Sequence, residues 1–150
     1  LSKFADNSFD VVRLWHVLEH TLNPQETLKE AHRVIKLGGE LILGIPNIDA
    51  LSRKIFCDYN KWYEVCNLPL HLFFFSRETL RFLLEKCGFK EISIKTHSGG
   101  AMRMALEKVL KPPLSKNGWL RFPWNAIFMI SDFLIDKTFW ADCLEVHCSK

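Results

Sequence analysis

A chain of 150 residues with 48% hydrophobic content holds one domain or a portion of one, and it is too apolar for a disordered chain. Its net charge of +3 is mild and argues neither for nor against nucleic acid; no nucleic-acid partner is expected. Five cysteines, an odd count with no C-x-x-C, argue against a disulfide framework or a zinc knuckle. Buried reduced thiols in a cytoplasmic protein are expected instead. The chain opens on Leu1 without a basic segment leading into an apolar one, so no secretory signal is expected. The absent Met points to an upstream portion.

Ala5-Asp6-Asn7-Ser8 reads as a turn, and Phe9–Trp15, rich in β-branched and aromatic residues, as a buried parallel strand. Asn23 is a good N-cap, with Pro24 at the first helical position. Leu28, Ala31 and Ile35 then recur at helical spacing, and Gly38-Gly39 is expected to end that helix. Leu41–Ile45 makes the next apolar strand, stopped by Pro46. A short helix near 50–57 and an aromatic-lined loop are expected before Ser76, which caps a helix with Leu80, Leu83, Leu84 and Cys87 inside. Phe75 is placed to staple against Leu80. Gly88 ends that helix, and Phe89–Lys95 forms a strand.

Residues 97–141 read as an insertion or lid. Arg103, Lys108, Lys111, Lys116 and Arg121 face only Glu107, and an apolar helix follows at about 124–139. Asp132 and Asp136 interrupt that helix, so it is no membrane span. A basic stretch beside an apolar helix points to peripheral contact with an anionic membrane through 101–140. Leu144, Val146 and Cys148 alternate with Glu145 and His147, giving a last strand at about 143–148.

The corner after the first strand carries the unusual residues. In open α/β sheets, ligands bind outside the carboxyl ends of strands. His16-Val-Leu-Glu19-His20 also fits H-x-x-E-H, an inverted zinc-protease motif. That chemistry needs both histidines on one helical face and a third ligand. Here the motif abuts a strand, and Asn23-Pro24 restarts a helix three residues later, so no metal is expected.

FDVVRLWHVLEH, NPQETLKEAHRVIKLGGELILGIPN, HLFFFSRETLRFLLEKCGF and the closing DCLEVHCSK together resemble the class I S-adenosylmethionine-dependent methyltransferases. Within them the chain is similar to ubiquinone-biosynthesis O-methyltransferases and related small-molecule enzymes. The resemblance implies an α/β, Rossmann-like fold with sheet order 3-2-1-4-5-7-6 and an antiparallel last strand. This chain would supply strands four to seven, at about 9–15, 40–45, 89–95 and 143–148. The family's glycine-rich cofactor loop follows strand one and its acidic residue follows strand two, so the chain is expected to be a carboxyl-terminal portion, inactive when isolated.

The implied cofactor is S-adenosyl-L-methionine, and the implied partner is a small-molecule methyl acceptor, envelope- or lipid-linked in some relatives. Leu14, Trp15, His16 and Glu19 fall where the family contacts the cofactor, and His16 and His20 are candidate catalytic bases. Pro46, Asn47 and His71 fall on the substrate side. Trp62, Tyr63 and Phe73–Phe75 are candidates for an apolar pocket wall. The free edge left on strand four implies self-association. Two other readings stay open: a non-catalytic binding or assembly module of the same fold, and a metal-dependent hydrolase through His16-x-x-Glu19-His20.

Overall fold

The computed structural model describes residues 1–55, 71–98, 129–130, 133–134, 138 and 140–150. Strand β1 (Phe9–Trp15) leads through a short 3-10 turn at Leu18–His20 into helix α1 (Pro24–Val34). Then come β2 (Ile35–Pro46), the short α2 (Leu51–Ile55), α3 (Arg77–Lys86), β3 (Lys90–His97) and β4 (Cys143–Ser149).

The helix starts follow their local signals. Glu26 N–H donates to the Asn23 side chain at 3.1 Å, with Pro24 in the first turn. Ser76 and Thr79 exchange side chain and backbone reciprocally: Thr79 N–H donates to Ser76 Oγ at 3.1 Å, and Ser76 N–H to Thr79 Oγ1 at 2.9 Å. Phe75 and Leu80, the expected staple pair, are both buried in the core cluster.

Gly38-Gly39 does not end α1. The helix stops at Val34, Ile35 is already extended, and both glycines lie inside β2. The register explains this: Phe9 pairs with Ile35, but Val11 pairs with Glu40, so β2 bulges between them. Gly38 takes φ +76° in the bulge, and a β-carbon on Gly39 would lie 2.7 Å from the Asp10 carbonyl oxygen. Pairing with β1 thus captures a segment whose local signals favour helix.

The four strands form one sheet in the order β1-β2-β4-β3. β1 and β2 are parallel, and β4 runs antiparallel to both β2 and β3. On one face, Val12 and Leu14, Leu41, Leu43 and Ile45, Leu144 and Val146, and Ile94 belong to a single buried cluster. Leu28, Ala31 and Val34 of α1 and Leu80 and Leu84 of α3 complete it. β1 is less buried than its composition implies: it lies at the sheet edge, and Val11 is half-exposed. No helix of the described residues is long and apolar enough to cross a membrane.

The opposite face is polar and aromatic. His147 Nδ1 meets Glu40 Oε1 at 2.6 Å, and its Nε2 meets Glu145 Oε1 at 3.0 Å. Hydrogen bonding to Glu145, then to Glu40, holds the imidazolium above the usual histidine range. The same contact holds Glu145 below the usual carboxylate range. A histidine pKa raised on folding stabilises fully below the ordinary value of 6.5, and that contribution is lost as pH rises through the raised value. The depressed Glu145 sets the acid limit, where its contribution is lost as pH falls. His147→Gln should therefore lower the urea midpoint near pH 6, with the gap to wild type narrowing as pH rises. A gap independent of pH between 6 and 9 would refute the ion-pair assignment.

Candidate active site

β1 delivers the chain to His16, whose φ of +51° lies in the left-handed region where a β-carbon is strained. The sheet holds it there, because His16 N–H donates to the Gly44 carbonyl at 2.8 Å. Leu18, fully buried, anchors the 3-10 turn that follows. Thr21 closes it by donating its hydroxyl to the Leu18 carbonyl at 2.8 Å. The H-x-x-E-H segment is therefore a strand end plus one tight turn, not a zinc-protease helix.

Glu19 has no exposed surface, although it is charged in water. Its Oε1 lies 3.0 Å from Nδ1 of His16, whose side chain is partly exposed. An ionised carboxylate only accepts, so with Glu19 in that form it is His16 Nδ1–H that donates across this contact. The Glu19 backbone carbonyl accepts from Leu72 N–H at 2.8 Å and from Phe73 N–H at 3.2 Å. Those bonds fasten the 71–73 segment to the turn and bring His71 beside His20, with ring centroids 4.7 Å apart. Burial pushes the His71 pKa below the usual histidine range, against the opposing charge of Glu19. Glu19 Oε2 and His71 Nδ1 are buried without a hydrogen-bond partner among the described residues.

The structure thus gathers His16, Glu19, His20 and His71 at one corner. The other candidates lie differently. Leu14 is buried in the core, so only its backbone reaches the strand end. The Trp15 indole is stacked on His97 at 5.6 Å, with the Arg13 guanidinium 4.4 Å from its centroid. Pro46 is in register with Cys143. Asn47 is buried: its amide donates to the Ala141 carbonyl at 2.9 Å, and its Oδ1 accepts from Asp49 N–H at 3.0 Å. This geometry ties the β2 elbow to the lead-in of β4. The neighbouring Ser52–Asp142 hydrogen bond, 2.7 Å and buried, closes the same knot and has no signal in the local sequence pattern. Trp62 and Tyr63 lie outside the described residues.

The strand order, the parallel β1–β2 pair and the antiparallel β4 define a Rossmann-like class I methyltransferase fold. The chain belongs to the methyltransferase domain family, whose model matches residues 2–94. It is 28% identical over 123 residues to a demethylmenaquinone methyltransferase of Alkalihalophilus pseudofirmus, covering 69% of this chain and 50% of that protein. It is 29% identical over 116 residues to a ubiquinone/menaquinone biosynthesis C-methyltransferase of Rickettsia felis, covering 65% of this chain and 46% of that one. The chain spans about half the length of these relatives. Among solved structures it is similar to a SAM-dependent methyltransferase, described as a possible histamine N-methyltransferase, from Thermotoga maritima. The TM-score is 0.61 at 22% identity, covering 98% of this chain and 58% of that one, a likeness of fold.

The Trp15 stack fixes the strand beneath the corner. A β-carbon on Gly44 would lie 2.5 Å from Trp15 Cε3. Gly44→Ala should displace the indole and lower stability by about 1–3 kcal/mol, as overpacking does. Urea denaturation measures this, and an unchanged midpoint would show that the indole moves freely.

Proposed function

We propose that this chain is the carboxyl-terminal portion of an S-adenosyl-L-methionine-dependent methyltransferase acting on a small-molecule acceptor. The family match and the names of the relatives support the class. The observation that carries the reading is the His16–Glu19 pair: a partly exposed imidazole held at 3.0 Å by a fully buried carboxylate at the carboxyl end of a parallel strand. Ligands of open α/β sheets bind at such ends.

The residues present fit one end of the cofactor. His16 and the backbone at the end of β1 border the space where the methionine part would lie. Among the described residues no glycine-rich turn follows a strand: Gly38 and Gly39 lie within β2, and Gly44 lies beneath Trp15. The adenosyl end would be held by other parts of the protein. When bound, the cofactor supplies a methyl group on an already activated sulfonium. This chain's part is then to align the acceptor, exclude water and take a proton. In the proposed mechanism, His16 Nε2 receives the acceptor proton while Glu19 fixes the ring's tautomer and direction. His20 and His71 bound the acceptor side.

In a protein carrying this chain with its cofactor-binding portion, transfer of labelled methyl measures the reading. His16→Ala and His20→Ala should lower kcat, by about 10²-fold or more where a general base is lost. His32→Ala, on α1 away from the corner, should retain activity. Equal turnover in all three would overturn the catalytic assignment. A protein that binds cofactor but transfers no methyl group would be a binding or assembly module instead.

We further propose that the region 101–140 touches an anionic membrane surface, bringing the enzyme to a lipid-linked acceptor. Residues 103–121 lie outside the described residues, and the motive is their five basic residues against one acid. Met129, Ile130, Phe133 and Leu134 beyond them are exposed apolar side chains in helical backbone. Co-sedimentation with vesicles containing phosphatidylserine should exceed that with neutral vesicles and fall with added salt. Equal sedimentation would leave the segment as a lid or packing element only.

A further inference from the structure

Glu19, His20 and His71 each offer one ligand atom, and these atoms all lie within 4.8 Å of one another. We propose that the three side chains form a binding site for a divalent cation of the zinc class. Two carboxylate and imidazole atoms at this corner, Glu19 Oε2 and His71 Nδ1, are buried with no hydrogen-bond partner among the described residues. A buried carboxylate oxygen is unfavourable unless a partner compensates it. A cation held between the carboxylate and two imidazoles satisfies both atoms at once.

The donor set selects the metal. Two nitrogens and one carboxylate oxygen are the His₂Glu set that zinc takes in open sites, whereas calcium and magnesium prefer all-oxygen shells. Tetrahedral zinc with bonds of about 2.0–2.1 Å requires ligand atoms roughly 3.3 Å apart, so the cluster closes by small side-chain rotations. Three protein ligands leave the fourth position to an oxygen donor, the pattern of sites that meet substrate. The surroundings are built for it. The His16 ring engages the other Glu19 oxygen at 3.0 Å, orienting the carboxylate as outer-shell partners do. The two N–H bonds from Leu72 and Phe73 to the Glu19 carbonyl fix the third ligand's segment against the first. His20, exposed, gives the ion an entry side.

This set differs from the H-x-x-E-H protease pattern, because His16 serves as the carboxylate's partner and His71, distant in sequence, replaces it. The site shares its corner with the proposed methyl-transfer chemistry but does not rest on it, since metal binding is read without turnover.

Metal-stripped 150-residue chain, titrated with zinc against a chromophoric chelator and with cobalt in the visible range, tests the proposal. The expected result is one zinc per chain and cobalt bands of tetrahedral intensity. Glu19→Gln and His71→Ala should each weaken zinc by at least about tenfold, the lower end of what even outer-shell changes produce, while His32→Gln binds as wild type. His71→Cys, which keeps a ligand, should retain zinc and add a thiolate-to-cobalt absorption. That variant also separates loss of the ligand from loss of the fold. No stoichiometric binding at micromolar metal would overturn the site. So would wild-type affinity in His71→Ala, or a His71→Cys spectrum without the thiolate band.

Discussion

One buried carboxylate organises the working end of this molecule. Glu19 has no exposed surface, yet it draws three stretches of chain together. Its Oε1 engages His16 at the end of β1, its own backbone forms the 3-10 turn, and its carbonyl receives the N–H groups of Leu72 and Phe73. A charge in such a place is unfavourable unless its neighbours compensate it, so the residues around it are constrained together rather than one by one. His16 keeps its left-handed backbone at this junction, held by its N–H bond to the Gly44 carbonyl on one side and the Glu19 contact on the other.

The sheet contributes a second constraint from its other face. Trp15 extends over Gly44 to stack on His97, and Arg13 packs on the same ring. Successive residues of a strand point to opposite faces, so Leu14 enters the core while Trp15 joins the polar face. His97 also lies near Glu145, which pairs with His147, which in turn pairs with Glu40. β1, β2, β4 and β3 are thus tied together across this face by charge and stacking, while apolar packing ties them across the core face.

Local signals made much of the fold legible. Asn23-Pro24 and Ser76 through Thr79 announce helix starts because capping needs only neighbouring residues. The strand order followed from the family resemblance and is the one observed. The end of α1 was not legible: Gly38-Gly39 reads as a helix stop, but the glycines serve a bulge created by pairing with β1, an interaction that local pattern cannot contain. At the site, His16, Glu19 and His20 stand out because they are adjacent in sequence. The link from Glu19 to the 71–73 segment is a long-range backbone contact, and His71 entered only through the resemblance. Asn47 carries a structural role that local pattern does not announce. A polar residue at a strand elbow reads as a binding group, and its amide is also engaged by Ala141 and Asp49 within the fold.

The position of the corner at an edge follows from the same topology. β1 is parallel to β2, and its other side has no strand beside it among the described residues. Val11 is half-exposed there, while Asp10 and Arg13 bring charge to the strand, a common way of blunting an edge. In open parallel sheets, ligands sit past the carboxyl ends of strands where the strand order reverses. In the class I order, that reversal falls on the free side of β1. The corner that carries His16, Glu19, His20 and His71 therefore lies at the carboxyl end of the edge strand β1. The core packed under this half of the sheet holds the side chains of the corner in place.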